Sequence, residues 1–321
     1  LTSFKKHPIR FLSRANDGTL CFGFQGEIYT LATGGKAQKV NIAIAENDNQ
    51  EKIETIRLST ANEFDVSEDG KEIVLISRGE VFATTDKFST TKQITTTPEA
   101  ELGITISPDG KTIVYSSLKT GTWNLYKATR ANKEDLHFAN ATLINEEPLF
   151  KDNTIERTMP KFSPDGKEIA YIEDRVYLKV LNLETKKVRT ITDGSQHYGF
   201  DETGFDFQWS PDCNWFTITF TTNRRSPYDD IGIVSAKTGG KIYNVTNSGY
   251  IDKSPKWVMN GNAILFISNR LGMRSHASWG SQNDVFIAFL NKETMDKFTM
   301  SEEDYALYKE AEKLRKEEEK K

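Results

Sequence analysis

The segment Phe162-Ser163-Pro164-Asp165-Gly166-Lys167, followed by Glu168-Ile169-Ala170-Tyr171-Ile172, constrains the fold more than any other stretch because near-copies of it recur along the chain. Proline fixes φ at the first corner of a turn, aspartate accepts backbone NH groups ahead of it, and glycine takes positive φ. Short apolar or alternating runs flank the turn, so the unit reads as strand, turn, strand. Copies stand at Val66-Ser67-Glu68-Asp69-Gly70-Lys71, Ile106-Ser107-Pro108-Asp109-Gly110-Lys111 and Trp209-Ser210-Pro211-Asp212-Cys213-Asn214. Decayed versions at Asn16-Asp17-Gly18-Thr19 and Trp257-Val258-Met259-Asn260-Gly261-Asn262 bring the total to six.

Counted between residues 18, 70, 110, 166, 213 and 261, the steps are 52, 40, 56, 47 and 48 residues. That period suits propeller blades. A second column, Glu27-Ile28-Tyr29, Glu80-Val81-Phe82, Asn124-Leu125-Tyr126, Arg175-Val176-Tyr177, Asp230-Ile231-Gly232 and Asp284-Val285-Phe286, supplies third strands. A third column, Ile94-Thr95, Ile191-Thr192 and Val245-Thr246, marks the outermost ones. The expectation is an all-β chain: a β-propeller over residues 1–300 with six recognisable four-stranded blades, in a ring of six or seven. The stretch from Asn145 to Arg157, with Glu146 and Glu147, reads as a polar insertion between blades three and four.

After Met300 the character changes. Ser301 with Asp304 resembles a capping box, and Tyr305, Tyr308, Ala311 and Leu314 repeat at helical spacing. Residues 301–321 are therefore expected to form a charged helix, docked in its first half and solvated beyond Leu314, that links to a missing downstream region. At the other end Leu1-Thr2-Ser3 precedes His7-Pro8 as Val245-Thr246-Asn247 precedes Ser254-Pro255. The opening reads as the tail of a preceding repeat, as a strand closing the ring, or as both.

Charge and cysteine content narrow the function. The 42 basic and 46 acidic residues leave −4, of which the last 21 residues carry −2, so neither nucleic acid nor an anionic membrane is expected as partner. Cys21 and Cys213 are too few for a disulfide scaffold or a four-thiolate zinc site. No apolar run approaches the roughly 18 residues of a membrane span. Histidines 7, 137, 197 and 276 lack metal-ligand spacing, and Asp65 to Asp69 resembles a calcium loop whose twelfth position is Ile76 instead of glutamate. No metal, cofactor or catalytic residue is expected. No Gly-x-Ser-x-Gly elbow occurs, and Ser195 beside His197, like Ser278 beside His276, reads as loop composition.

Two residue sets remain as binding candidates. Marker-to-third-strand distances of 9, 10, 14, 9, 17 and 23 residues show enlarged hairpin loops after Thr222 and Ser268, on one rim of a propeller. These loops carry Arg224, Arg225, Tyr228, Arg270, Arg274, His276 and Trp279. Arg224 and Arg270 read either as intrablade ion pairs with Asp229, Asp230 or Asp284, or as contacts to an anionic or C-terminal carboxylate. The second set, Asp65, Thr105, Lys161, Gln208 and Lys256, sits two positions before the turn serine or its equivalent. It reads as channel lining or as packing between blades.

The intact Ser-Pro-Asp-Gly-Lys turns at 107–111 and 163–167 resemble the blades of the Tol-system propeller protein, the prolyl oligopeptidase group and tricorn-type peptidases. Segments 204–212, 226–232 and 269–282, with the charged helix from Ser301, are similar to the propeller region of bacterial tricorn-type serine peptidases. That resemblance implies a non-catalytic fragment of an exported, envelope-associated peptidase. Its partners would be peptides or unfolded protein segments, other domains of the same chain, and a further copy in a homo-oligomer. A Tol-type scaffold without a peptidase is the alternative.

Overall fold

The computed structural model describes residues 2–5, 7–43, 56–222, 228–273 and 280–319. Two compact units, residues 1–60 and 61–321, divide the chain. The first holds one antiparallel sheet, β1 to β4 (Arg10–Arg14, Leu20–Phe24, Glu27–Leu31, Gln38–Lys39), in sequential order. Its core is aromatic: Phe22, Phe24 and Leu31 are buried, and Phe4 stacks on Phe24 with ring centroids 4.2 Å apart. Residues 2–5 form no strand.

The second unit contains five sheets in chain order. They are β5 to β8 (Glu63–Val66, Glu72–Ser77, Glu80–Thr85, Thr91–Gln93), β9 to β12 (Glu101–Ile106, Thr112–Ser117, Asn124–Arg130, Ile144–Pro148) and β13 to β16 (Arg157–Phe162, Glu168–Glu173, Tyr177–Asn182, Val188–Thr190). Then follow β17 to β20 (Phe207–Trp209, Trp215–Thr221, Asp229–Ser235, Ile242–Asn244) and β21 to β23 (Asp252–Val258, Ala263–Ser268, Asp284–Phe289). Each is an antiparallel meander, and its turn-flanking strands are the expected ones. Consecutive sheets share cores, as where Val74, Ile76 and Val81 of the second sheet meet Ile104, Ile113 and Tyr115 of the third. A similar layer joins Ile172, Leu178 and Val180 to Phe207, Phe216 and Ile218.

The repeated turn closes on its own polar groups. Ser67, Ser107 and Ser163 each donate Oγ–H to the aspartate two residues on, at 2.7 Å. Each Oγ then accepts the NH of the residue five positions on, at 2.9 to 3.0 Å. Ser210 and Asp212 repeat the arrangement, with Cys213 at φ 58° in the place where Gly70, Gly110 and Gly166 stand at 66–71°. The outer-strand column has its own chemistry, because the Thr95, Thr192 and Thr246 hydroxyls accept the edge NH groups of Val81, Leu178 and Ile231 at 2.9 to 3.0 Å.

Four expectations change. Residues 144–148 are an outer strand, not an insertion: Leu149 NH bonds to Leu125 O at 2.8 Å, and Tyr115 donates its hydroxyl to Glu146. The extra length lies at residues 131–143, where Phe138 is fully buried in a short 3₁₀ turn. Arg175 sits in a hairpin at φ 67° rather than in a third strand, which begins at Tyr177. The sixth sheet has three strands among the described residues, so no chain end is paired with β23 there. After β23 come two helices, α1 (Lys292–Thr299) and α2 (Glu302–Glu319).

Asn291 caps α1 by accepting Thr294 NH at 2.8 Å, and Ser301 caps α2 by accepting Asp304 NH at 3.1 Å. The first half of α2 is not docked: Tyr305, Leu307 and Leu314 are exposed, and Tyr308 is half-buried near the Lys297 ammonium, 4.8 Å from its ring. α1 stands between β23 and α2 in the chain, with Phe298 against Phe289 at 5.3 Å.

Candidate functional site: the channel wall

The innermost strands β5, β9, β13, β17 and β21 each contribute one residue of the predicted column to a single cavity. Asp65, Thr105, Lys161, Gln208 and Lys256 all line this opening of about 660 Å³, together with Phe64, Ile104, Phe162 and Trp209. The column residues also tie neighbouring sheets, as the packing reading expects. Asp65 Oδ2 accepts the Thr105 hydroxyl at 3.0 Å and Ile106 NH at 2.9 Å. Lys161 donates its ammonium to Phe207 O at 2.7 Å, and the Trp209 indole NH returns a bond to Lys161 O at 3.2 Å. One sheet further on, Trp257 does the same to Gln208 O at 3.3 Å.

Charge on this wall is asymmetric. Asp65 and Thr105 satisfy one another, whereas Lys161, Gln208 and Lys256 follow on consecutive sheets. Burial holds the Lys161 ammonium below the usual lysine range, against the opposing pull of Asp206, Asp65 and Glu63, and Lys256 adds to the depression. Burial likewise raises the Glu63 carboxyl, whose Oε1 accepts Gly103 NH at 3.2 Å. Lys256 is exposed, and no hydrogen bond or ion pair engages its ammonium among the described residues.

The inner strands also carry bulges that sequence reading missed. Gly103, Met159 and Ser254 take φ of 62°, 54° and 54°, and strand register shifts at each. A side chain at Gly103 would meet Met159 Cα at 2.7 Å. Ser254 NH bonds to Asp206 Oδ2 at 3.0 Å, as Gly103 NH does to Glu63.

The rim set is only partly in view. Arg224, Arg225, Arg274, His276 and Trp279 lie outside the described residues. Arg270 is an intrablade ion pair, but its partner is Asp252 on β21, reached by Nη2 at 2.9 and 3.0 Å, instead of Asp284. The guanidinium lies 4.8 Å from the Phe286 ring, and Asp252 is fully buried. Asp229 and Asp230 are engaged by Thr221, and by Thr246, Ser248 and Asn244. Tyr228 is half-buried beside them.

Ser195 and His197 engage different partners. The Ser195 hydroxyl donates to Asp193 at 2.6 Å, while His197 stacks on Phe205 with centroids 3.5 Å apart and is kept neutral by burial, its pKa brought down to about 4.

Glu101 opens β9 at 4% exposure, accepts the Ser117 hydroxyl at 2.9 Å and lies 3.1 Å from the Thr95 hydroxyl oxygen. Burial, reinforced by Glu80, lifts its pKa to about 7. The folded chain therefore holds a proton that the unfolded chain releases near 4.5. The Glu101 contribution to stability is greatest below that pH and falls as pH rises from 4.5 to 7, by up to about 1.4 kcal/mol per unit, opposed by buried His197, whose lowered pKa adds stability as pH rises from about 4 to 6.5. Urea unfolding across this range should show the Glu101 slope as the difference between the parent and Glu101→Gln.

Face-to-face packing of antiparallel meanders, with their innermost strands lining one cavity, makes this chain a β-propeller blade array. Its sequence is similar to propeller-bearing proteins of two kinds. A protein of Sulfurisphaera tokodaii described as a tricorn-like protease C-terminal subunit is 31% identical over 110 residues, covering 34% of this chain and 12% of that protein. The Tol-Pal system protein TolB of Francisella tularensis is 34% identical over 91 residues, covering 27% of this chain and 18% of TolB. The crystal structure of the tricorn protease superposes on 89% of this chain with a TM-score of 0.53 at 18% identity, using 27% of its own length. The chain thus spans about an eighth to a quarter of these proteins. No protein-family profile matches it.

Proposed function

We propose that this chain is a non-catalytic propeller segment of a tricorn-like peptidase of the cell envelope, and that it docks extended peptide segments at the channel wall. The observation that carries the reading is the convergence of five inner-strand residues on one cavity, with Lys161, Gln208 and Lys256 on consecutive sheets. Two ammonium groups flanking a carboxamide suit an acidic side chain or a C-terminal carboxylate. Hydrolysis belongs to a different part of the parent protein.

Lys256 is the residue to test because it is exposed and its replacement leaves the core intact. Fluorescence anisotropy with a labelled peptide ending in Asp-Glu should detect binding. Lys256→Glu should weaken it about tenfold, as expected for loss of a charge-assisted bond worth roughly 1.5 kcal/mol. Equal binding by the variant sinks the reading, as does peptide hydrolysis by the chain itself that is abolished at one of its own serines. The similarity to TolB supports a second reading, a protein-binding scaffold with no attached peptidase. The reading frame beyond Lys321 separates the two.

A further inference from the structure

Among the described residues, the outer edge of β23 has no fourth strand beside it. In the second to fifth sheets, one third-strand residue bonds the outer segment at a fixed register. Val81, Leu125, Leu178 and Ile231 accept, at 2.8 Å, the NH groups of Ile94, Leu149, Ile191 and Val245. At three of these places a threonine follows, and its hydroxyl accepts the edge NH of the same third-strand residue. An acid one residue earlier receives the hydroxyl proton in two of them: Thr95 donates to Glu80 at 2.6 Å, and Thr246 to Asp230 at 3.2 Å.

Asp284-Val285 occupies the same register. Val285 pairs with Ile267 as Val81 pairs with Ile76 and Ile231 with Thr219. Among the described residues, however, nothing bonds the outer edge of β23 or the Asp284 carboxylate. Exposure marks the difference: Val81, Leu125, Leu178 and Ile231 are 0% exposed, and Val285 is 65% exposed. Acid, edge NH and edge carbonyl are arranged for an arriving aliphatic-threonine pair.

We infer that β23 binds an extended polypeptide segment by strand addition, and that the segment it selects carries an aliphatic residue followed by threonine. The aliphatic NH bonds to Val285 O, while the threonine hydroxyl accepts Val285 NH and donates to Asp284. Main-chain bonds hold the segment, and the threonine sets its register. The site lies on the sixth sheet's edge and does not depend on the channel-wall reading.

A heptapeptide copying this chain's own residues 241–247, Lys-Ile-Tyr-Asn-Val-Thr-Asn, is the probe, added to the whole chain. Hydrogen exchange followed by amide-resolved NMR should show the Val285 and Ile287 amides slowed at least tenfold at saturation. A peptide with valine in place of that threonine should bind at least tenfold more weakly, and Asp284→Asn should reduce the preference for threonine. Lys256→Glu should leave the effect unchanged. The inference is overturned if these two amides are already protected in the free chain, or if saturating peptide leaves them exchanging freely. It is also overturned if both peptides protect equally, or if only Ile231 responds, which would mean that the peptide had displaced β20 instead.

Discussion

Arg175→Ala is expected to lower the unfolding free energy by about 3 to 5 kcal/mol, among the largest effects of any single change in the 61–321 unit. Arg175 and Glu156 are 5% and 2% exposed, and Nε lies 3.1 and 3.3 Å from the two carboxylate oxygens. A further bond of 3.1 Å reaches Glu202, whose loop closes over the guanidinium so tightly that a side chain at Gly199 would meet Arg175 Cβ at 2.8 Å. Truncation takes the guanidinium away from the buried Glu156 carboxylate. Urea titration measures the loss. Arg175→Met combined with Glu156→Leu should recover most of it, because the penalty comes from keeping a buried carboxylate after its guanidinium is removed and not from absence of the pair. A single variant within 1 kcal/mol of the parent would contradict this account.

Gly103→Ala is the second large effect, expected at about 3 kcal/mol or more. Part of the cost, about 1 to 2 kcal/mol, is the left-handed conformation at φ 62°. The remainder is contact with backbone that cannot swing away: the new Cβ would lie 2.7 Å from Met159 Cα, 2.8 Å from Met159 N and 2.9 Å from Pro160 Cδ. Gly110→Ala provides the internal control. Its φ of 66° is similar, but its Cβ meets nothing within 4 Å, so only the conformational part should appear. Equal losses at the two positions would show that the inner strands are not packed as described.

What the sequence revealed follows from the range of the forces involved. The turn is written within six residues, since serine, aspartate and glycine act on backbone groups one to five positions away. Hence all six hairpins and five of the six third-strand columns were placed, and the inner-strand column could be aligned to the turn serine. The Asp252 partner of Arg270 was missed because that pair joins the start of β21 to the hairpin beyond β22, and residue spacing favoured Asp284. Strand β12 was taken for a loop because its Glu146 and Glu147 look solvent-bound. Their reason for being in a strand, the Tyr115 hydroxyl and the Lys127 ammonium, lies on neighbouring strands. Helix α1 did leave a signal, with Asn291 as cap and Glu293 in the first turn, but it spans only eight residues. Only Gly103 among the bulge residues is a glycine, so composition did not announce the others.

The self-contained serine–aspartate turn carries a kinetic implication. Its polar bonds close loops of at most five residues, so their entropy is recovered early, before any sheet has met its neighbour. The two central strands of each meander can then zip from a preformed corner, whereas the outer strand and its threonine must return from 14 residues away. The chain is therefore built to acquire hairpins first and outer edges last, with each new sheet offered a face already shaped by the one before it.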